Sequence, residues 1–269
     1  MPMMRVNGAN IHYEVSGDGP QTIVFAHGLL MSGRMFDEQV RAFASRYRCV
    51  TYDFRGQGDS EVTESGYDME TLTDDAAALI EAFGCGPCHF AGLSMGGFIG
   101  LRLAIHRPAL LRSLILLETS ADPEPQKIRY RMLNFIARWI GMRVVIGPVA
   151  KIMFGRKFLE DPARAGERKK WEKRILANDR VGISRATNGV IDRLGVRDDL
   201  HKIGAPTLII VGDADLATLP ATAQRMHARI AGSKLVRIPF AGHSSPIEEP
   251  ETINRVIREF LEESLVPGR

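Results

Sequence analysis

Short apolar runs rich in β-forming residues recur along the chain at 9–15 (ANIHYEV), 22–27 (TIVFAH), 48–54 (RCVTYDF), 88–93 (CHFAGL), 111–118 (LRSLILLE), 206–212 (PTLIIVG) and 234–240 (KLVRIPF). Between most of them lie stretches whose apolar positions repeat with the helical period, at 33–46, 69–83, 95–106, 218–231 and 248–264. The later β-like runs are almost continuously apolar, as parallel strands covered on both faces are. This alternation predicts a mostly parallel sheet flanked by helices, its opening pair of strands an antiparallel hairpin. From about 120 to 199 the rhythm breaks. Four helix-like pieces, at 126–142, 145–155, 162–178 and 181–194, follow one another with no strand between them. The pattern therefore divides the chain into one α/β core, 1–119 and 200–269, and an all-helical insertion at 120–199.

Composition agrees with a single soluble α/β unit, since 45% of the 269 residues are hydrophobic and 25% charged. A net charge of +3 is too small a bias to imply nucleic acid. The charge is unevenly placed, however. Residues 121–197 hold 18 Lys and Arg against 8 Asp and Glu, a net of +10, which leaves −7 on the rest of the chain. No nucleic-acid module signature accompanies these basic residues, so they read as a solvated helical surface whose long side chains cover apolar area. Such a surface could also draw an anionic substrate or a membrane surface. The first residues show no basic segment followed by an apolar one, and no run approaches the roughly 18–20 apolar residues of a membrane span, which predicts a cytoplasmic protein with no integral membrane segment. Three cysteines, Cys49, Cys85 and Cys88, make no disulfide scaffold, and no Cys/His cluster has zinc spacing, so no metal is expected.

The chemistry concentrates around Ser94. A strand, HFAGL, runs into a turn bounded by Gly92 and Gly96, and a helix begins near Met95. In such a turn the serine backbone is strained, and a side chain at either flanking position would strike the neighbouring strand or helix. The helix start aims unpaired N–H groups and its positive dipole end at the place where an oxyanion would form. A serine nucleophile needs a base, and the base needs an orienting carboxylate. Of seven histidines, His243 is the best placed, in a loop after the last strand and before the C-terminal helix. His12 and His89 lie in strands, His106, His201 and His227 at a helix end or on the surface, and His27 comes too early, where it could orient a loop. For the carboxylate, Asp213 and Asp215 lie beyond a strand's carboxyl end and Glu118 follows another. Local reasoning leaves the three open.

Taken together, His27-Gly28, DFRGQGDS at 53–60, GLSMGG at 92–97, GDAD at 212–215 and AGHSSPIEEP at 241–250 resemble, in order and spacing and over essentially the whole chain, the α/β-hydrolase fold superfamily. The resemblance is to its serine-nucleophile branch, which includes carboxylesterases, enol-lactonases and cofactor-free haloperoxidases. It implies an eight-stranded sheet with an α-helical cap inserted after the sixth strand. It assigns Asp215 as the triad acid, Leu29 and Met95 as donors of the oxyanion hole, and a structural role to 53–60. It implies no cofactor.

From these residues the expectation is a serine hydrolase. Ser94 attacks a carboxylic ester or lactone, His243 relays the proton, Asp215 orients the imidazole and water releases the acyl-enzyme. The substrate is expected to be a small apolar molecule, because Leu30, Met31 and Phe98 beside the site and Met132, Phe135, Trp139, Met153, Phe154 and Phe158 in the cap suggest an apolar pocket. The same triad could serve a C–C bond hydrolase or a perhydrolase, and a small-ligand receptor or signalling protein with a retained triad is an alternative of another class. Cys85-Gly86-Pro87-Cys88 has the letters of a thioredoxin-type site, but here the first cysteine follows a helix instead of opening one, which would disfavour its thiolate. The tetrapeptide reads as a helix-to-strand turn with structural cysteines.

Overall fold

The computed structural model of the chain describes residues 2–264. Its eight strands are β1 (Met3–Val6), β2 (Ala9–Ser16), β3 (Thr22–Ala26), β4 (Arg48–Tyr52), β5 (Cys88–Leu93), β6 (Leu111–Leu117), β7 (Thr207–Gly212) and β8 (Lys234–Ile238). They form one sheet in the order β1-β2-β4-β3-β5-β6-β7-β8. Every pairing from β4 to β8 is parallel, with Ala26 beside Gly92, Leu93 beside Leu117 and Gly212 beside Ile238. The carboxyl ends of β3, β4, β5, β6, β7 and β8 therefore open on one edge, where loops from six strands converge.

The antiparallel start differs from the expected hairpin of 9–15 with 22–27. β2 pairs with β1 and with β4, while β3 lies between β4 and β5. The overlooked signal is Asn7-Gly8, whose φ angles of 44° and 79° make a two-residue turn joining β1 to β2. Four-residue β1 has only Val6 buried, too little apolar alternation for a pattern reading to catch.

Helices α1 (Asp37–Phe43), α2 (Met69–Ala82) and α3 (Met95–His106) alternate with the strands; α4 (Lys127–Trp139), α5 (Met142–Met153), α6 (Arg156–Glu160), α7 (Ala165–Ala177) and α8 (Arg180–Asp192) lie together between β6 and β7; α9 (Pro220–His227), α10 (Ser245–Glu248) and α11 (Pro250–Ser264) complete the chain. Successive residues of β3 point to opposite faces, Ile23 and Phe25 into one core and Val24 and Ala26 into the other. The first core also takes in Leu30 and Met31 and continues into the helical insert through Val145, Val149, Met153, Trp171, Ile175 and Ile183. The insert is thus joined to the sheet edge that carries the converging loops by shared apolar packing. Among the described residues no helix is long and apolar enough to cross a membrane.

Candidate active site

Ser94 sits between β5 and α3 with φ 51° and ψ −109°, a backbone conformation that costs a non-glycine residue about 1–3 kcal/mol. The surroundings hold it there. Its N–H donates to Leu117 O at 2.9 Å, and its carbonyl accepts from Phe98 N at 3.0 Å and from Thr119 Oγ1 at 2.8 Å. The flanking glycines are required for space, since a Cβ on Gly92 would lie 2.3 Å from Gly96 O and one on Gly96 would lie 2.1 Å from Ala26 O. Met95 N–H is at the first turn of α3, where no intrahelical acceptor exists.

His243 and Asp215 meet at the ends of β8 and β7. The imidazole Nδ1 lies 2.9 Å from Asp215 Oδ2 and 3.0 Å from Oδ1, and both residues are buried. Asp215 also accepts from the N–H groups of Ala217 at 2.8 Å and Thr218 at 3.1 Å, and from Thr218 Oγ1 at 2.7 Å. With the carboxylate so engaged, Nδ1 carries the proton and Nε2 is the nitrogen left to act as a base. Asp213 instead accepts from Arg237 Nε at 2.6 Å near the surface. Glu118 is completely buried, with φ 41°. Burial, reinforced by the charges of Asp215 and Glu248, pushes its pKa well above the usual carboxylate range, which keeps it neutral beside the His243–Asp215 pair.

Two further loops complete the edge. His27 is buried and kept neutral by desolvation; its Nδ1 faces Gly28 O at 2.7 Å and its Nε2 accepts from Phe54 N at 3.0 Å. Leu30, at φ 70°, donates its N–H to Gln57 Oε1 at 2.8 Å, and its carbonyl accepts from Asn178 Nδ2 at 3.0 Å. Asp53 accepts from the N–H groups of Gly33 and Asp59, at 2.7 and 2.9 Å. The segment 53–60 therefore braces the loop that carries Leu29. Glu248 does the same for the histidine. Its buried carboxylate accepts from the N–H groups on either side of His243, Gly242 at 3.0 Å and Ser244 at 3.2 Å, and from Gly155 of the insert at 2.9 Å. Sequence reasoning passed over Glu248 and Gln57, although both lie within the motifs it singled out.

Ser94, His243, Leu29, Leu30, Phe98 and Met153 line one cavity of about 890 Å³, mouth included. Its other walls come mainly from the insert: Leu133, Ala137, Met142, Val145, Val149, Ile152, Ile183, Val190 and Ile191. Six expected lining residues are elsewhere. Met132, Phe135 and Trp139 are 59, 62 and 67% exposed on the outer side of α4. Met31 is buried in the core beneath the loop, and Phe154 and Phe158 stack on each other at 4.8 Å, with Arg164 over Phe158. The apolar period of α4 marks two faces, and the bulkier side chains occupy the one turned away from the cavity.

One side of the cavity is polar, which the sequence did not reveal. Arg193 Nη1 donates to Glu124 Oε2 at 3.0 Å, its guanidinium lies 4.2 Å from the Phe98 ring, and both charged groups are buried at the lining. Tyr130, Asn134, Thr187 and Thr218 add polar atoms.

Cys85 and Cys88 are free thiols and neither lines the cavity. Cys88 is fully buried at the start of β5 and its thiol is pushed well up, foremost by its hydrogen bond with Cys85 and then by burial. The same bond, helped by the charge of Arg48, holds the Cys85 thiol below its ordinary range, against the opposing effect of burial. Among the described residues, His12, Asp53 and Asp59 bring possible metal-ligand atoms within 4.8 Å of one another, but Asp53 already binds two N–H groups and lies 3.1 Å from His12 Nδ1.

With this geometry in view, the relatives are informative. Residues 23–256 match the model of the alpha/beta hydrolase family, and the chain belongs to that family. It is similar to 3-oxoadipate enol-lactonase 1 of Acinetobacter baylyi, 28% identical over 255 residues that cover 94% of each chain. Among solved structures it resembles the enol-lactonase from Burkholderia xenovorans, at a TM-score of 0.90 and 27% identity, covering 97% of this chain and all of the other. It also resembles a thermophilic esterase from Thermogutta terrifontis, at a TM-score of 0.89 and 28% identity, covering 98 and 97%.

Proposed function

We propose that the protein is a serine hydrolase that cleaves a carboxylic ester or lactone with a modest apolar acyl part through an acyl-enzyme. The observation that carries this reading is that Ser94, strained at the strand-to-helix turn, shares one apolar cavity with His243, whose Nδ1 is held by buried Asp215. His243 Nε2 removes the Ser94 proton as the oxygen attacks the acyl carbon, and Asp215 stabilises the imidazolium that forms. The N–H groups of Leu29 and Met95 receive the oxyanion; among the described residues neither donates to a protein acceptor. The imidazolium then protonates the leaving group, and water, activated by the same histidine, releases the acid.

The helical insert, 120–199, acts as a cap over a core formed by 1–119 and 200–269, and its share of the cavity wall supports this division. Val145, Val149, Ile152 and Met153 accept the apolar acyl part. Because the nucleophile is serine, its covalent intermediate must be an ester that water can hydrolyse, which favours acyl over alkyl transfer. The names of the enol-lactonase and esterase relatives agree with this class.

The test is a panel of short-chain esters, lactones and β-diketones assayed with wild type and Ser94→Ala. Rapid turnover of esters or lactones that Ser94→Ala abolishes supports the reading. Tight binding with at most a single turnover would replace it with a receptor, and Ser94-dependent cleavage of the β-diketones alone would replace it with a C–C hydrolase.

A further inference from the structure

The three large side chains that α4 turns away from the cavity continue with Ile128, which is 87% exposed. Residues 128, 132, 135 and 139 are spaced four, three and four apart and so form one stripe along a helix about 20 Å long. Ile140 and Val144, equally bare, lie past its end at the turn into α5, where they line a separate cleft with Arg138, Arg143 and Arg180. Four large apolar side chains exposed along one helix face exceed what scattered surface residues require, and mark a surface that meets something apolar.

The borders of the stripe are basic. Arg131, Arg138 and Lys127 run along one side and Arg129 along the other, with Arg143 beside Val144. Arg131 is paired with Asp192 at 2.7 Å and Arg138 lies 4.8 Å from the Trp139 ring, whereas among the described residues Lys127, Arg129, Arg138 and Arg143 form no ion pair. Phe, Trp and aliphatic side chains between Arg and Lys form the composition of helices that lie in a membrane interface. The net charge of +10 on residues 121–197 gives the whole insert the sign that an anionic lipid surface attracts. A second copy meeting this face through its own equivalent would bring two such inserts together, which like-charge repulsion opposes.

We propose that the outer face of α4 docks the protein on anionic phospholipid membranes as a peripheral protein. Ile128, Met132, Phe135 and Trp139 enter the interface while Lys127, Arg129, Arg138 and Arg143 meet lipid phosphates. The opposite face of the same helix, Tyr130, Leu133, Asn134 and Ala137, lines the cavity, so docking sets that cavity one helix away from the lipid. The docking is a binding property and stands or falls separately from the hydrolase reading.

The test uses the purified full chain and unilamellar vesicles of phosphatidylcholine with and without phosphatidylglycerol, read by co-sedimentation and by tryptophan emission. The chain has two tryptophans, and Trp171 is buried, so a blue shift on binding reports Trp139. Binding to the anionic vesicles only, weakened by added salt, is expected. The Phe135→Ser, Trp139→Ser double variant should bind at least about tenfold more weakly at an unchanged melting temperature, because both side chains are exposed. The Arg129→Glu, Arg143→Glu double variant, which keeps Trp139, should lose about tenfold or more and leave any residual emission shift in place. No binding to anionic vesicles, equal binding to neutral ones, or binding untouched by either double variant would overturn the proposal. So would a concentration-dependent dimer in sedimentation velocity that Phe135→Ser, Trp139→Ser dissociates, which would assign the stripe to a second copy.

Discussion

Helices α3 and α4 are nearly equal in length and differ in almost everything else. Ten of the twelve residues of α3 are buried, while α4 buries only Asn134 and Ala137 of its thirteen. α3 is small and apolar nearly all round, with Gly96 allowing close approach to β3, Gly97 to Thr119 and Gly100 to β5 and β6, so it can only sit inside the molecule. α4 carries apolar side chains on two faces with basic ones between. A helix with one possible orientation can be read from its sequence, and one with two cannot.

The sharpest way to test the α3 end of this contrast is its first residue boundary. Ser94→Ala should lower kcat/KM on short acyl esters by about 10⁴-fold or more, measured with thermal melting to confirm an unchanged fold. Phenylalanines on the two helices make the next comparison. Phe98 in α3 is buried under Arg193 at the cavity, and Phe98→Ala should cost about 3–5 kcal/mol in denaturant unfolding, through lost burial and the void left behind. Next in size is the brace between insert and histidine loop. Glu248→Gln keeps the volume but weakens three charge-assisted bonds, which should cost about 1–3 kcal/mol of stability and lower kcat more than it raises KM.

Glu118, at the end of the strand after α3, gives a pH-dependent prediction. Its carboxyl keeps a proton in the folded protein that the unfolded chain releases above about 4.5. The folded state then binds more protons, so stability falls as pH rises from that value toward the raised native one. One such group contributes a slope of at most about 1.4 kcal/mol per pH unit. Melting curves across this range should show a smaller decline for Glu118→Gln than for wild type; Glu248, also pushed up by burial, leaves a residual slope of the same sign. The smallest effect closes the comparison with α4. Phe135→Ala, with its ring in solvent, should change stability by no more than about 0.5 kcal/mol. A loss near that of Phe98→Ala would mean that the outer face of α4 is covered in solution.

Legibility follows the same division. Seven of the eight strands and the helices flanking them were visible because buried parallel strands are apolar runs of fixed length separated by helical periods. The pairing at the start was not, because strand order depends on contacts far apart in the chain, and β3 gives no local sign that it lies between β4 and β5. At the site, Ser94 and His243 were marked by glycine-rich turns and by position after strands. Choosing Asp215 over Asp213 needed the family resemblance. In the structure, Asp213 engages Arg237 while Asp215 engages His243. The pocket was read least well, since the presence of Leu133 and Ala137 at the cavity in place of Met132 and Phe135 is decided by a rotation of α4 that its own residues do not select.

The amino-acid sequence alone determined most of the elements, though not β1 or α6, together with their α/β alternation, the strained turn that presents Ser94 and the basic charge of the insert. Those properties reside in local sterics, in the spacing of apolar residues and in simple charge counts. Only the tertiary structure decided the strand order, the burial of Glu118 beside Asp215, the Glu248 brace, the Arg193–Glu124 pair and the exposed stripe of α4. Each of these depends on which surfaces of distant segments exclude water from one another, and no segment carries that information by itself.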